Sequence, residues 1–200
     1  IGCLIFGAYI WINGRTSDVS DPDVAFDEPT KPKGVQIRPE TFVWPIYGYQ
    51  AARTRNLAAD LKPPYKPLWR FNADQLLEFS PILARGTLYV VRKDSRVYAI
   101  DAKTGHRKWT KKVGSLSAAS PAYADGRVFV VTLSGRIVAL NAKTGNIRWA
   151  KDLGSRSESS PLVLEDSVIF GSEGGTLYRL RQRDGRIEWT YKANGAIKGG

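Results

Sequence analysis

Short apolar runs recur through the second half of the chain, and turn-forming residues separate them. Residues 128–131 (VFVV) and 137–140 (IVAL) are apolar at every position, and they follow the turns Asp125-Gly126 and Ser134-Gly135. Short β-branched and aromatic runs between such turns are typical of β-strands. Strands that are apolar on both faces need cover on both faces, and residues 80–200 show no helical period that could supply it. We therefore predict an all-β fold in which four-stranded antiparallel sheets cover one another.

This strand pattern repeats every 40 residues. Residues 99–109 read AIDAKTGHRKW, residues 139–149 read ALNAKTGNIRW, and residues 179–189 read RLRQRDGRIEW. A fixed period of this length indicates one supersecondary unit stacked on copies of itself, and four-stranded units of this size suit the blades of a β-propeller. We expect blades at residues 80–119, 120–159 and 160–200, and an earlier outer strand that carries Trp69.

The repeated motif is Ala-x-Asp-x-x-x-Gly-x-x-x-Trp, and a Ser-Pro pair opens the next unit. It resembles the tryptophan-docking repeat of the pyrroloquinoline-quinone (PQQ)-like β-propellers, a family that includes quinoprotein dehydrogenases, BamB-type lipoproteins and ectodomains of bacterial membrane kinases. The resemblance covers residues 69–200, and the third copy departs from the motif at Arg179 and Arg181. It implies a partial propeller of about three blades plus one extra strand, in which each tryptophan stacks on a neighbouring blade. The residues expected in this structural docking role are Trp69, Ala99, Asp101, Gly105, Trp109, Ala139, Asn141, Gly145, Trp149, Gly185 and Trp189.

The segments before the repeats have a different composition. Residues 1–12 carry no charge, which predicts a transmembrane or signal-anchor helix truncated at the start of the chain; a cleaved signal peptide is the alternative. Cys3 is interpreted as an ordinary residue of that helix. Residues 13–40 are rich in Pro and Asp, as in a disordered linker. Residues 41–79, the leading segment, should hold a short strand near 42–48, a helical turn within 51–61 and the outer strand of Trp69. Since three blades do not close a ring, we interpret the chain as an N-terminal fragment of a larger propeller protein.

Charge narrows the choice of partners only slightly. Basic side chains outnumber acidic ones by 30 to 19, and the whole excess lies after residue 40. Such a surface attracts anionic ligands of several kinds, although cations along outer strands also protect exposed sheet edges. We expect a protein or an anionic envelope ligand as the partner, with the membrane contacted through residues 1–12. Nucleic acid is not favoured.

The candidate ligand-binding residues lie in loops that join one blade to the next. In this architecture ligands sit over the loops 114–120, 154–160 and 194–200, close to the turns centred on Asp94, Ser134 and Glu173. From these loops we select Ser117, Ser157, Glu158 and Lys198 as candidate ligand-face residues; small hydroxyl side chains also satisfy loop backbones, which is the structural alternative. The single histidine, His106, lies between charged neighbours in a turn, and no Cys or His pair has metal-ligand spacing.

The residues favour a binding role over catalysis. We expect a non-catalytic, membrane-tethered propeller outside the cytoplasm, at the cell surface or in the periplasm, that serves as a scaffold for a protein or envelope ligand. The resemblance keeps two alternatives open: part of a PQQ-dependent dehydrogenase, which would require PQQ and calcium, or the sensor ectodomain of a membrane kinase. No cofactor is evident from the residues themselves. The docking motif does not imply one either, because fold and function separate easily in such families.

Overall fold

Every regular element in the described part of the chain is a β-strand. The structure is a computed structural model that describes residues 38, 40–57, 59 and 62–199, and these residues form three antiparallel sheets without a helix. The predicted all-β class is therefore confirmed for this part of the chain. The predicted apolar helix at 1–12 and nearly all of the predicted linker lie outside the described residues. None of the described residues belongs to a helix long and apolar enough to span a membrane.

The first sheet has five strands in the order β1-β2-β3-β4-β5. Their bounds are β1 Val43–Trp44, β2 Ile82–Ala84, β3 Thr87–Val91, β4 Arg96–Asp101 and β5 Arg107–Lys112. The extra strand, β1, comes from the leading segment and pairs antiparallel with β2, Val43 opposite Ala84. The short strand expected near residues 42–48 thus exists, and it gives this sheet one strand more than the four expected.

The second and third sheets each have four strands, in simple sequence order. In the second sheet these are β6 Ala122–Ala124, β7 Arg127–Val131, β8 Arg136–Asn141 and β9 Ile147–Asp152. In the third sheet they are β10 Leu162–Leu164, β11 Ser167–Gly171, β12 Thr176–Arg181 and β13 Ile187–Lys192. Each sheet carries one irregularity at the same repeat position, between Ala99 and Ile100, between Ala139 and Leu140, and between Arg179 and Leu180.

The core consists of the side chains between successive sheets. Val128 and Val130 of β7 lie in the cluster shared with the first sheet, whereas Phe129 and Val131 lie in the cluster shared with the third. Alternate residues of one strand are therefore buried on opposite faces, which explains why the strand is apolar throughout. Burying one such side chain stabilises the fold by about 1.5–3 kcal/mol.

The leading segment covers the remaining face of the first sheet. Trp69, Phe71 and Ala73 pack against a cluster that includes Tyr98 and Ile100 of β4. Residues 64–73 are extended but form no strand, which differs from the outer strand expected around Trp69. A strand requires a hydrogen-bonded neighbour, and no described strand lies beside this segment.

Residues just after β1 connect the first sheet to the second. The backbone N–H of Tyr123, in the second sheet, donates to the carbonyl oxygen of Pro45 at 2.7 Å. Ile46 is only 3% exposed and belongs to the cluster between the second and third sheets. A single short segment thus joins the first sheet to the second and adds to the apolar cluster between the second and third.

The helical turn expected within residues 51–61 is absent from the described part of that range. Arg53 and Arg55 have φ values of 53° and 55°. Left-handed residues at these positions prevent a continuous right-handed helix. The segment forms a series of turns instead.

Candidate ligand face and inter-sheet docking sites

Trp69, Trp109 and Trp149 each dock on the following repeat through the same hydrogen bond. The indole N–H of Trp69 donates to the carbonyl oxygen of Ala102 at 3.0 Å. The indole N–H of Trp109 donates in the same way to Ala142 at 2.9 Å, and that of Trp149 to Gln182 at 2.8 Å. In all three pairs the acceptor lies 33 residues after the tryptophan, so the contact crosses from one unit to the next.

A glycine lies under each indole ring. Gly105, Gly145 and Gly185 have φ values of 74°, 74° and 72°. A Cβ atom on Gly145 would lie 2.7 Å from an indole carbon of Trp109, and one on Gly185 would lie 2.6 Å from Trp149. The glycine is required both by the left-handed backbone and by the close approach of the ring.

The turns that receive the tryptophans are held by side-chain hydrogen bonds. In the first repeat, Asp101 Oδ1 accepts from the backbone N–H groups of Lys103 and Thr104, each at 3.0 Å. Asn141 fills the same role in the second repeat. The hydrogen bond from Lys108, together with the turn N–H groups, lowers the pKa of Asp101 to about 2.

The third repeat stabilises this turn differently. Arg181 replaces the Asp or Asn and donates to both carboxylate oxygens of Asp184, at 3.1 and 2.8 Å. This pairing lowers the pKa of Asp184. The backbone bond from Gly185 N–H to the carbonyl oxygen of Arg181 is retained at 2.9 Å. The turn therefore keeps its shape and receives Trp149 despite the change of side chains.

Other docking positions lie opposite each tryptophan across its own sheet. Ala99 faces Trp109 and Ala139 faces Trp149, and both alanines are fully buried. Arg179 occupies the equivalent place opposite Trp189, where it donates to Glu188 at 3.0 Å. Trp189 is 41% exposed, and no hydrogen bond of its indole is found among the described residues.

The loops between blades gather on one end of the sheets through repeated backbone hydrogen bonds. Leu133 N–H donates to the carbonyl oxygen of Leu116 at 2.9 Å, and Glu173 N–H donates to Arg156 at 2.8 Å. These bonds join each loop to the central turn of the following sheet. The loops and turns selected from the sequence are thus brought together.

Two of the four candidate residues use their hydroxyl groups within the fold. The Ser117 hydroxyl donates to the carbonyl oxygen of Val131 at 2.8 Å, and that of Ser157 donates to Gly171 at 2.7 Å. Both serines are 1% exposed. Their hydroxyls therefore attach each loop to the next sheet, as in the structural alternative stated for such residues.

Glu158 and Lys198, the other two candidates, border an open cavity of about 660 Å³, which Ser117 also lines. Four equivalent repeat positions line it, each 40 residues from the next: Glu78, Ala118, Glu158 and Lys198. The serines of the Ser-Pro pairs contribute a second set, Ser80, Ser120 and Ser160. Because stacked repeats bring equivalent residues to the same end, the period alone could have identified Glu78 and Ala118 as members of this site.

A network of four charges lies along the rim of this cavity. Arg156 lies 2.7 Å from a carboxylate oxygen of Glu158 and 2.9 Å from one of Glu173. Lys198 lies 3.6 Å from the same two acids. The hydrogen bond from Arg156 is the main cause that lowers the pKa of Glu158, and the two acids raise the pKa of Arg156. Arg156 and Glu158 are therefore both held in their charged forms.

Arg92 is a residue that the sequence did not single out. It donates to both carboxylate oxygens of Asp94, at 2.8 and 2.6 Å, and to the carbonyl oxygen of Ala73 at 2.7 Å. These bonds fix the central turn of the first sheet to the leading segment, and they lower the pKa of Asp94 to about 2. Bidentate pairing of this kind depends on geometry that a residue pattern does not contain.

Two further arginines lie beside Tyr47, which also borders the cavity. The guanidinium of Arg55 lies 4.8 Å from the centre of the Tyr47 ring and hydrogen bonds to its hydroxyl. Arg53 lies 5.8 Å from the same ring and donates to the carbonyl oxygen of Ser160 at 3.5 Å. The leading segment thus contributes an aromatic and cationic border to the ligand face.

Metal-binding side chains do not cluster in the described part of the chain. Across residues 38, 40–57, 59 and 62–199, no three His, Cys, Asp or Glu side chains converge into a group that could hold a metal ion.

Comparison with solved structures identifies the architecture. BamB from Moraxella catarrhalis is 26% identical, with a TM-score of 0.59, over 66% of this chain and 42% of that one. Quinohemoprotein alcohol dehydrogenase from Comamonas testosteroni is 25% identical, with a TM-score of 0.64, over 74% of this chain and 27% of that one. A europium-containing methanol dehydrogenase is 24% identical, with a TM-score of 0.67, over 79% and 33% of the two chains, and this likeness shows the fold alone. The present chain spans less than half the length of each.

Sequence comparison gives the family. No curated protein matches the chain. The profile of the family described as outer membrane protein assembly factor BamB matches residues 49–120 and 112–198, which is most of the chain and includes every strand except β1. The tryptophan docking, the face-to-face sheets and this match agree, and the chain belongs to the BamB-type family of PQQ-like β-propeller proteins.

Proposed function

We propose that this chain is part of a non-catalytic β-propeller that binds a protein partner in the cell envelope through the ligand face. This face consists of the loops 114–120, 154–160 and 194–199 and the central turns beside them. Membership of the BamB-type family supports a protein partner and an envelope location. Tethering through residues 1–12 is part of the proposal and rests on their uncharged sequence.

The observation that carries the proposal is the convergence of equivalent loop positions on one open cavity. Glu78, Ala118, Glu158 and Lys198 come from four successive loops and line the same space. A concave face made of several loops on a rigid scaffold is a common place for partner binding.

The electrostatics of this face suit recognition better than proton transfer. A general acid or base works best with a pKa near the working pH. The pKa of Glu158 is instead lowered below its usual value, away from neutral pH, because Arg156 donates a hydrogen bond to it. A carboxylate held in its charged form can accept hydrogen bonds from a partner and orient it.

Site-specific crosslinking in the native envelope tests the proposal. A photoreactive amino acid is placed at Ala118 or Glu158 in the full-length protein, and at Asp125 as the control. Asp125 lies in a turn at the opposite end of the sheets, in a separate cavity with Glu165 and Arg183. We expect one discrete protein adduct from positions 118 and 158 and none from position 125.

Two results would overturn this function. One is equal crosslinking from both ends of the sheets, which would show that partner binding is not confined to the ligand face. The other is bound-quinone absorbance together with dye-linked alcohol oxidation after titration with PQQ and Ca²⁺, which would establish the dehydrogenase alternative.

A further inference from the structure

The outer strands β5, β9 and β13 each have one free edge in the described part of the chain. Each pairs on one side only, with β4, β8 and β12 respectively. A free edge leaves backbone N–H and C=O groups available for another extended chain. The three edges share the same backbone geometry, and they differ in charge.

The charge difference appears at four equivalent positions of the three strands. β5 carries a cation at each of them, whereas β9 has a net charge of +1 and β13 a net charge of zero at the same places. The residues are Arg107, Lys108, Lys111 and Lys112 on β5; Ile147, Arg148, Lys151 and Asp152 on β9; and Ile187, Glu188, Tyr191 and Lys192 on β13. If cations served only to protect edges, all three strands would need them equally.

The first sheet also places like charges opposite each other. Arg96 lies directly across from Lys112, whereas in the second sheet the equivalent Arg136 lies across from Asp152 and pairs with it at 3.1 Å. Like charges at opposed positions destabilise a sheet. This part of the first sheet therefore concentrates positive charge at the expense of its own stability.

Three of these five cations have no acidic partner within the fold. Lys108 pairs with Asp101 at 3.1 Å and Arg96 lies 4.0 Å from Asp94, but within the described residues no acidic side chain forms an ion pair with Arg107, Lys111 or Lys112. No large apolar side chain of β5 is among the exposed ones, so the edge lacks the apolar anchor that holds a protein in a bilayer. Side chains two apart on the strand repeat at ~7 Å, which matches the repeat of an extended peptide beside it.

We propose that the free edge of β5, with Arg96, binds an acidic peptide segment that adds to the first sheet as a further strand. Main-chain hydrogen bonds would hold the segment, and its carboxylates would lie beside Arg107, Lys111 and Lys112. Pairing of this kind is an established mode of peptide recognition. This surface is distinct from the ligand face, and the inference does not depend on the function proposed for that face.

The test measures binding of a fluorescein-labelled peptide of alternating Glu-Glu and Thr-Thr pairs to the full-length protein by anisotropy. Such pairs place carboxylates on both faces of an added strand, which is needed because Lys111 and Lys112 face opposite sides of the sheet. We expect saturable binding that weakens about tenfold or more in the Lys111→Glu/Lys112→Glu variant and weakens with added salt. The control variants are Lys151→Glu and Lys192→Glu, which reverse the equivalent charges on β9 and β13 and should leave binding unchanged. The Lys112→Glu change places opposite charges across the sheet, so we expect the variant to stay folded, and thermal denaturation checks this.

A second peptide of the same charge with two central prolines separates strand pairing from simple charge attraction, because proline removes the backbone donors. We expect it to bind at least about tenfold more weakly and to leave β5 amides unprotected in hydrogen exchange. Equal binding of the two peptides, equal loss in all the variants, or binding to anionic phosphatidylglycerol vesicles in place of the peptide would each overturn the proposal.

Discussion

Trp149 donates its indole N–H to the main-chain carbonyl oxygen of Gln182, where the two earlier repeats offer the carbonyl of an alanine. The acceptor belongs to the backbone, so the bond depends on the path of the chain and not on the side chain. This explains how the third repeat can carry Arg179 and Arg181 and still receive the tryptophan before it. The turn glycine is constrained most strictly, because a Cβ atom there would collide with the indole ring.

Two alanine substitutions can measure how much stability depends on the absence of a side chain under the indole ring. Gly145 and Gly126 have nearly equal φ values of 74° and 71°, but only Gly145 lies under an indole. Left-handed strain should cost each variant about 1–2 kcal/mol of unfolding free energy. Gly145→Ala should lose a further ~1–3 kcal/mol because the new methyl group meets Trp109. Urea denaturation measures both, and equal losses would contradict the docking contact.

Ser95 occupies a turn position at which we expect glycine to be more stable than the native residue. It has a φ of 62° at the position where the other repeats have Gly135 and Gly175, and its buried hydroxyl has no hydrogen-bond partner among the residues that the structure describes. Replacing it with glycine removes the strain and the unpaired hydroxyl, and adds some unfolded-chain entropy. We expect Ser95→Gly to raise the unfolding free energy by about 1 kcal/mol. As a control, Gly135→Ala should lower it, since the added Cβ would lie 2.0 Å from the carbonyl oxygen of Ser155. A lower melting temperature for Ser95→Gly would contradict the assignment.

Acid should weaken the first sheet through Asp94. Its pKa falls from 3.8 to about 2 in the folded chain, chiefly because Arg92 donates to it. A depressed folded pKa contributes stability that is present above the unfolded pKa and is lost as pH falls through the folded value. We expect stability to decline between pH 4 and pH 2, and Asp94→Asn to be less stable at neutral pH but less sensitive over that interval. Chemical denaturation at several pH values provides the measurement, and an unchanged pH slope would contradict it.

Alkali should act through Tyr89. Burial raises its pKa from 10.0 to about 12, and its hydroxyl donates to the carbonyl oxygen of Ala142, which also accepts from Trp109. A raised folded pKa contributes stability that is present below the unfolded value and is lost as pH rises through the folded one. We expect a loss of stability between pH 10 and pH 12 that is smaller in Tyr89→Phe. Ultraviolet titration of phenolate should show a late-ionising component that Tyr89→Phe removes, and its persistence in the variant would contradict the assignment.

The 40-residue period predicted the structural features that depend on local sequence. The 40-residue step located the apolar strands, the turns after Asp101 and Asn141, and the loops that surround the cavity. Antiparallel hairpins are local, so their residues carry the information that forms them.

What the sequence did not supply depends on contacts between distant segments. The pairing of β1 with β2 joins residues about 40 positions apart without any repeat to indicate it. The triple hydrogen bonding of Arg92 arises from the way the leading segment passes beside the central turn of the first sheet. Such side-chain orientations follow from packing, which one residue pattern leaves open.

The contacts of residues 43–46 beyond their own sheet change how the assembly should lose its structure. In a purely linear array each unit touches only its neighbours, so one end can melt while the other persists. Here Pro45 accepts a hydrogen bond from the second sheet, and Ile46 lies in the apolar cluster between the second and third sheets. We therefore expect melting of the second sheet to remove support from the leading segment as well, which would couple the sheets into one cooperative transition.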